Sequence, residues 1–128
     1  MILMLFSVLF VPMVGSAKAD EVLYCQSELA TGLYPDNGTW RTGTFTKYRY
    51  TIKVSGDFEK VIGLLEDYQF ECAIPNALKP NKVVCQTFAG ETFFYDKSSK
   101  RFLYSFVNTN TYLDTDTPAI FAGTCQKF

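Results

Sequence analysis

Carboxylates, cysteines and aromatic rings are the groups in this chain whose types and spacing invite a chemical reading, because its 128 residues include no histidine. That absence excludes Ser-His-Asp and Cys-His nucleophile arrangements and every His-ligated metal site. The sequence holds no Gly-rich phosphate loop and no dinucleotide-binding fingerprint. Two carboxylate pairs remain, Glu66-Asp67 and Asp114-x-Asp116. Glycoside hydrolysis needs two carboxyl groups about 5–10 Å apart on either side of a sugar. Adjacent residues on an extended chain point to opposite faces, which disfavours Glu66-Asp67. Asp114 and Asp116 share a side, but they sit in the Thr/Asp-rich stretch Tyr112–Thr117 ahead of Pro118, an expected exposed loop where charges are ordinarily solvated. Calcium would need six or more oxygens, and no EF-hand loop is present.

The four cysteines are Cys25, Cys72, Cys85 and Cys125. No C-x-x-C spacing occurs, so a thiolate metal site is disfavoured and two disulfides are expected. Of the three pairings, Cys25–Cys125 with Cys72–Cys85 is preferred. The second pair suits two neighbouring strands across a loop, and the first ties the start of the domain to its end. On a chain-entropy argument the short loop contributes about 3 kcal/mol and the long one about 4.7 kcal/mol.

Aromatic content is the most unusual property: Trp40, eight Tyr and ten Phe follow residue 19. Most of these rings must be core, because a small β domain needs bulky fillers. Trp40 is the best single candidate for binding, since it stands between Thr39 and Arg41 in a polar, turn-rich stretch. Tyr34 and Arg41 are its natural companions.

The elements that must position these residues begin with a leader. Ile2 to Val14 is apolar apart from Ser7 and Pro12, and Ala17-Lys18-Ala19 follows as an A-x-A cleavage signal. A spanning helix needs about 20 apolar residues, more than this run supplies. Residues 1–19 are therefore expected to be a signal peptide, and residues 20–128 one exported, disulfide-bonded domain with no stable membrane insertion afterwards. Lys18 leaves with the leader, so 11 basic residues face 13 acidic ones and the net charge is −2. Such a surface has no electrostatic reason to bind nucleic acid.

Within that domain, Tyr48, Tyr50, Ile52 and Val54 alternate with Arg49, Thr51 and Lys53, the period of a half-buried strand. Ser55-Gly56-Asp57 turns the chain into a second strand over Phe58–Leu65. Thr92–Tyr95 and Arg101–Val107 flank a polar loop, with Phe102, Tyr104 and Phe106 in one stripe. Tyr68–Ile74, Lys82–Phe88, Val22–Leu29 and Ala119–Gln126 complete about eight short strands. Leu33–Thr44, rich in Gly, Thr, Asp and Asn, reads as an exposed loop, with a turn at Asp36-Asn37-Gly38. The fold class is all-β, a small up-and-down barrel in preference to a two-sheet sandwich.

Leu23-Tyr24-Cys25, Gly32-Leu33-Tyr34 with Trp40, the central Cys72 and Cys85, and the closing Gly123-Thr124-Cys125-Gln126-Lys127-Phe128 resemble a family of small, exported, uncharacterised bacterial proteins. The resemblance implies a bacterial setting, periplasmic or secreted, and supports the cysteine pairing by layout. It implies no activity and no residue roles. A looser architectural similarity connects the expected barrel to small periplasmic barrels that inhibit lysozyme and to lipocalin-like binders.

Together these readings lead to an expected non-enzymatic envelope protein without cofactor or metal. It would bind a small apolar ligand or a protein partner through aromatic loop residues or a barrel pocket. A passive structural component and a carboxylate-based hydrolase are the alternatives. With so many aromatics, a filled interior and surface recognition are favoured over a hollow barrel.

Overall fold

The computed structural model describes residues 15, 19–106 and 118–127. The expected leader, apart from Gly15 and Ala19, lies outside the described residues, as do Asp114, Asp116 and the rest of the Tyr112–Thr117 stretch. The described residues form nine antiparallel strands: β1 (Glu21–Asp36), β2 (Thr39–Thr44), β3 (Arg49–Ser55), β4 (Lys60–Ile62), β5 (Gln69–Ala73), β6 (Lys82–Gln86), β7 (Thr92–Asp96), β8 (Arg101–Phe106) and β9 (Ala119–Lys127).

Strands β1 and β3 to β9 close an eight-stranded up-and-down barrel, in which β1 pairs with β3 on one side and β9 on the other. The alternation in the sequence is what builds it. On β3, Ile52 and Val54 are buried while Arg49, Thr51 and Lys53 face solvent. Both expected disulfides form between directly opposed residues, Cys25 with Cys125 across the β1–β9 closure and Cys72 with Cys85 across β5–β6. The barrel interior is filled through its middle. Leu23, Ile52, Val61, Phe70, Val83, Phe93 and Phe102 are all buried there.

Two expectations need correction. Leu33–Thr44 is not a loop: β1 continues to Asp36 and turns back as β2, pairing Tyr34 with Arg41 and Pro35 with Trp40. Asn37 (φ 50°) and Gly38 (φ 78°) supply the two positive φ angles that a tight hairpin turn requires. Threonines and Trp40 favour extended backbone, but this ribbon projects beyond β9 and has no core face, so no alternation announced it. The second correction concerns Phe58–Leu65, of which only Lys60–Ile62 is strand. Gly63 adopts φ 112°, where a Cβ would meet the Thr51 carbonyl oxygen, and the chain leaves the sheet there.

A β-bulge lies between Ser27 and Leu29, where Glu28 is the extra residue opposite β9. It switches the inward positions of β1 from Leu23, Cys25 and Ser27 to Ala30. Gly123 faces the bulge, and a Cβ there would meet the Gln26 backbone.

Candidate functional site

The two ends of the barrel differ. At one end Phe58 stacks on Tyr95 (5.0 Å between ring centres) and Lys97 Nζ lies 5.3 Å above the Phe58 ring, so that end is plugged. At the other end a cavity of about 420 Å³ opens into the barrel, within the size range of small-molecule sites. Its walls are the start of β3 (Tyr48, Tyr50), the end of β8 (Tyr104, Phe106) and the start of β9 (Ala119, Phe121). Phe45 and Thr46, between β2 and β3, and Leu64 and Leu65, after β4, complete them.

Local structure explains how each wall is held. The chain between β2 and β3 is pinned to the bulge of β1. Tyr48 N–H donates to Ser27 Oγ (2.7 Å), Ser27 N–H donates to the Tyr48 carbonyl (2.9 Å), and Phe45 N–H donates to the Ala30 carbonyl (3.0 Å). Ser27 is fully buried, and its hydroxyl both accepts from the Tyr48 N–H and donates to the Tyr48 carbonyl (3.1 Å). Gly63 lets the following residues fold back, which brings Leu64 and Leu65 to the cavity. The rings contact one another edge to face: Tyr50 with Tyr104 at 5.8 Å and Tyr48 with Phe121 at 5.6 Å. Tyr104 also stacks on Phe121 at 6.1 Å.

Tyr104 is 4% exposed, and its hydroxyl is buried with no hydrogen-bond partner among the described residues. Burial is the main reason its phenol is pushed above the ordinary tyrosine value, with Tyr50 and Glu91 adding to it. Burial, and then Tyr48, push the Tyr50 phenol up to about 12. Both side chains are therefore neutral phenols at physiological pH. Among the described residues the walls contain no acid, no base and no thiol, so what these residues offer is apolar contact, ring faces and a few hydroxyls.

Trp40, Tyr34 and Arg41 do come together, on the projecting β1–β2 hairpin, and none of them lines the cavity. Cross-strand register places Tyr34 and Arg41 on one face of the ribbon and Trp40, opposite Pro35, on the other. Arg41 Nε pairs with Asp36 Oδ2 at 2.7 Å. Trp40 remains 59% exposed. Glu66 and Asp67 are exposed in the turn after β4 and build no paired site. Among the described residues, no group of three or more Cys, Asp or Glu could hold a metal ion.

Sequence reasoning passed over Tyr48, Tyr50 and Tyr104 because it assigned them to alternating stripes, and over Phe121 because it lay within the expected strand Ala119–Gln126 with nothing to single it out. The available signal was chemical. A tyrosine at an inward position carries a hydroxyl that must find a partner. A larger hollow, about 730 Å³, runs over the outside of β6 to β9. It lies on the outer sheet face, whereas the mouth cavity is lined by aromatic rings at the end of the barrel.

Comparison with family models, with curated proteins and with solved structures finds no match.

Proposed function

We propose that this chain is an exported, non-enzymatic binding protein whose site is the aromatic cavity at the open mouth of the barrel. The export reading rests on the leader-like sequence of residues 1–19 and on the family resemblance, which also suggests a bacterial envelope setting. Two disulfides that use all four cysteines suit an oxidising compartment. Among the described residues, no helix is long and apolar enough to cross a membrane.

The observation that carries the binding reading is the buried hydroxyl of Tyr104, a cavity-lining residue, which has no hydrogen-bond partner among the described residues. A buried hydroxyl without a partner costs about 1–3 kcal/mol, and departures of this kind concentrate where a protein meets its ligand. A ligand in the cavity covers the rings, and a small rotation of a wall ring gives one of its polar groups access to Tyr104.

The test is titration of the oxidised protein with N-phenyl-1-naphthylamine, a neutral apolar probe that fluoresces when shielded from water. Thr46 is exposed at the mouth, so Thr46→Trp narrows the entrance without disturbing the core. Saturable one-site binding is expected, weakened at least about tenfold by Thr46→Trp and unaffected by Trp40→Ala. Binding that Thr46→Trp leaves intact refutes the site.

A second reading is favoured by the projecting hairpin alone: Trp40, more than half exposed on a ribbon covered on neither face, suits capture of a protein partner. Loss of capture in Trp40→Ala, with probe binding unchanged, would assign that role to the hairpin.

A further inference from the structure

The chemistry of a ligand follows from the cavity walls and from a carboxylate near them, and the inference rests on reading the cavity as a binding site. Six of its lining residues are aromatic: Phe45, Tyr48, Tyr50, Tyr104, Phe106 and Phe121. The others, Thr46, Leu64, Leu65 and Ala119, are uncharged. An anionic ligand would therefore enter an apolar site without a cationic wall residue among the described residues to repay its desolvation. A sugar would fare little better, because four hydroxyls in the walls are too few for its many donors and acceptors.

The same end of the barrel also carries Glu91, just before β7, a residue only 4% exposed. Its carboxylate accepts a hydrogen bond from the Thr87 hydroxyl, and no described Lys or Arg forms an ion pair with it. Buried carboxylates are ordinarily paired. It precedes Thr92, which pairs with Ser105 between the wall residues Tyr104 and Phe106, and after burial and Tyr50 it adds to raising the Tyr104 phenol. Ring faces present negative charge to whatever lies between them, and a nearby carboxylate with no ion-pair partner among the described residues deepens that potential. Charge, ring content and the unsatisfied hydroxyl all favour one class of occupant.

We propose that the mouth cavity is a site for a small organic cation, an alkylammonium whose charged head is seated among the faces of Tyr48, Tyr50, Tyr104 and Phe121. A hydroxyl or carbonyl on the same molecule partners the Tyr104 hydroxyl. The size of the cavity confines the ligand to a free small molecule.

The experiment is an NMR titration of the oxidised, isotope-labelled protein with three probes of one shape. Choline carries the cation, 3,3-dimethylbutan-1-ol replaces its nitrogen with carbon, and 3,3-dimethylbutanoate carries an anion. Choline is expected to shift the backbone signals of residues 45–50, 104–106 and 119–121, and to bind about tenfold more tightly than the neutral isostere. The anion is expected not to bind. In Glu91→Gln, which keeps the side-chain size and an acceptor for Thr87, the preference for choline over the isostere should narrow. Equal or tighter binding of the isostere or the anion at these same residues overturns the cation while leaving the cavity as a binding site. No shift there with any of the three overturns both. An unchanged preference in Glu91→Gln overturns the role given to that carboxylate.

Discussion

Replacing Tyr104 with phenylalanine should make this protein more stable, which is the reverse of what truncating a buried core residue usually does. The ring contacts survive the change: the edge contact with Tyr50 (5.8 Å), the stack on Phe121 (6.1 Å) and the contact with Phe70 (6.1 Å) all belong to the ring rather than the hydroxyl. What disappears is a buried hydroxyl that no described residue satisfies. That group costs about 1–3 kcal/mol, and the small void left by one oxygen returns part of the gain. A net stabilisation of about 1 kcal/mol is expected at pH 7, equivalent to a rise in Tm of about 4 °C for a domain of this size. Urea melts of the oxidised protein and of Tyr104→Phe, followed by near-ultraviolet circular dichroism, measure the difference. The pH dependence provides a second check. The Tyr104 phenol is raised in the fold, so the fold favours its neutral form. The associated stability is complete below the unfolded tyrosine value of about 10 and is lost as pH rises through the folded value. The gap between variant and wild type should therefore be flat below about pH 10 and widen above it. Tyr50, which is pushed up to about 12 and also raises Tyr104, stays neutral in the fold between about pH 10 and its own titration, and the widening is read in that window. A variant less stable than wild type at pH 7 would show that the hydroxyl has a partner, and would remove the main support for the binding site.

Removing the Cys25–Cys125 disulfide by a double Ala substitution should cost more than removing Cys72–Cys85. The sequence separations of 100 and 13 correspond to about 4.7 and about 3 kcal/mol of chain entropy. Equal losses in urea melts would contradict that loop-length account. Gly123→Ala should destabilise by about 1–3 kcal/mol, because the new Cβ meets the Gln26 backbone at the bulge and neither strand can withdraw without opening the barrel closure. A wild-type melting curve for this variant would show the bulge to be pliable. Asp96 accepts hydrogen bonds from Lys82 first and then from Ser98, which hold its carboxyl well below the usual range. A depressed carboxyl stabilises above its unfolded value and loses that contribution as pH falls. Asp96→Asn should therefore be less stable than wild type at pH 7, with the difference shrinking below about pH 4. A difference that persists unchanged to pH 2 would show that charge is not its source.

Much of the architecture could be read from one strand at a time. Alternation at Tyr48–Val54 and Phe102–Phe106 depends only on side chains of an extended chain pointing alternately to its two faces, so sequence spacing alone reports which residues face inward. Even cysteine count and spacing likewise announced two disulfides, and the barrel's closure then set Cys25 opposite Cys125. Sequence also brought Trp40, Tyr34 and Arg41 to attention together, and they do share one hairpin. What it could not supply was anything that depends on two distant segments meeting. The hairpin itself was hidden because both of its faces are exposed, leaving no hydrophobic period to detect. The bulge at Glu28 shifts the inward parity of β1, an offset defined only by its pairing with β9. The cavity draws its walls from residues 45 to 121, and apart from Thr46 each of them taken singly is a hydrophobic or aromatic residue of the kind that fills a core. That Tyr104 has no hydrogen-bond partner among the described residues is a property of its surroundings, since a hydroxyl is satisfied or stranded only by the atoms that tertiary structure places around it.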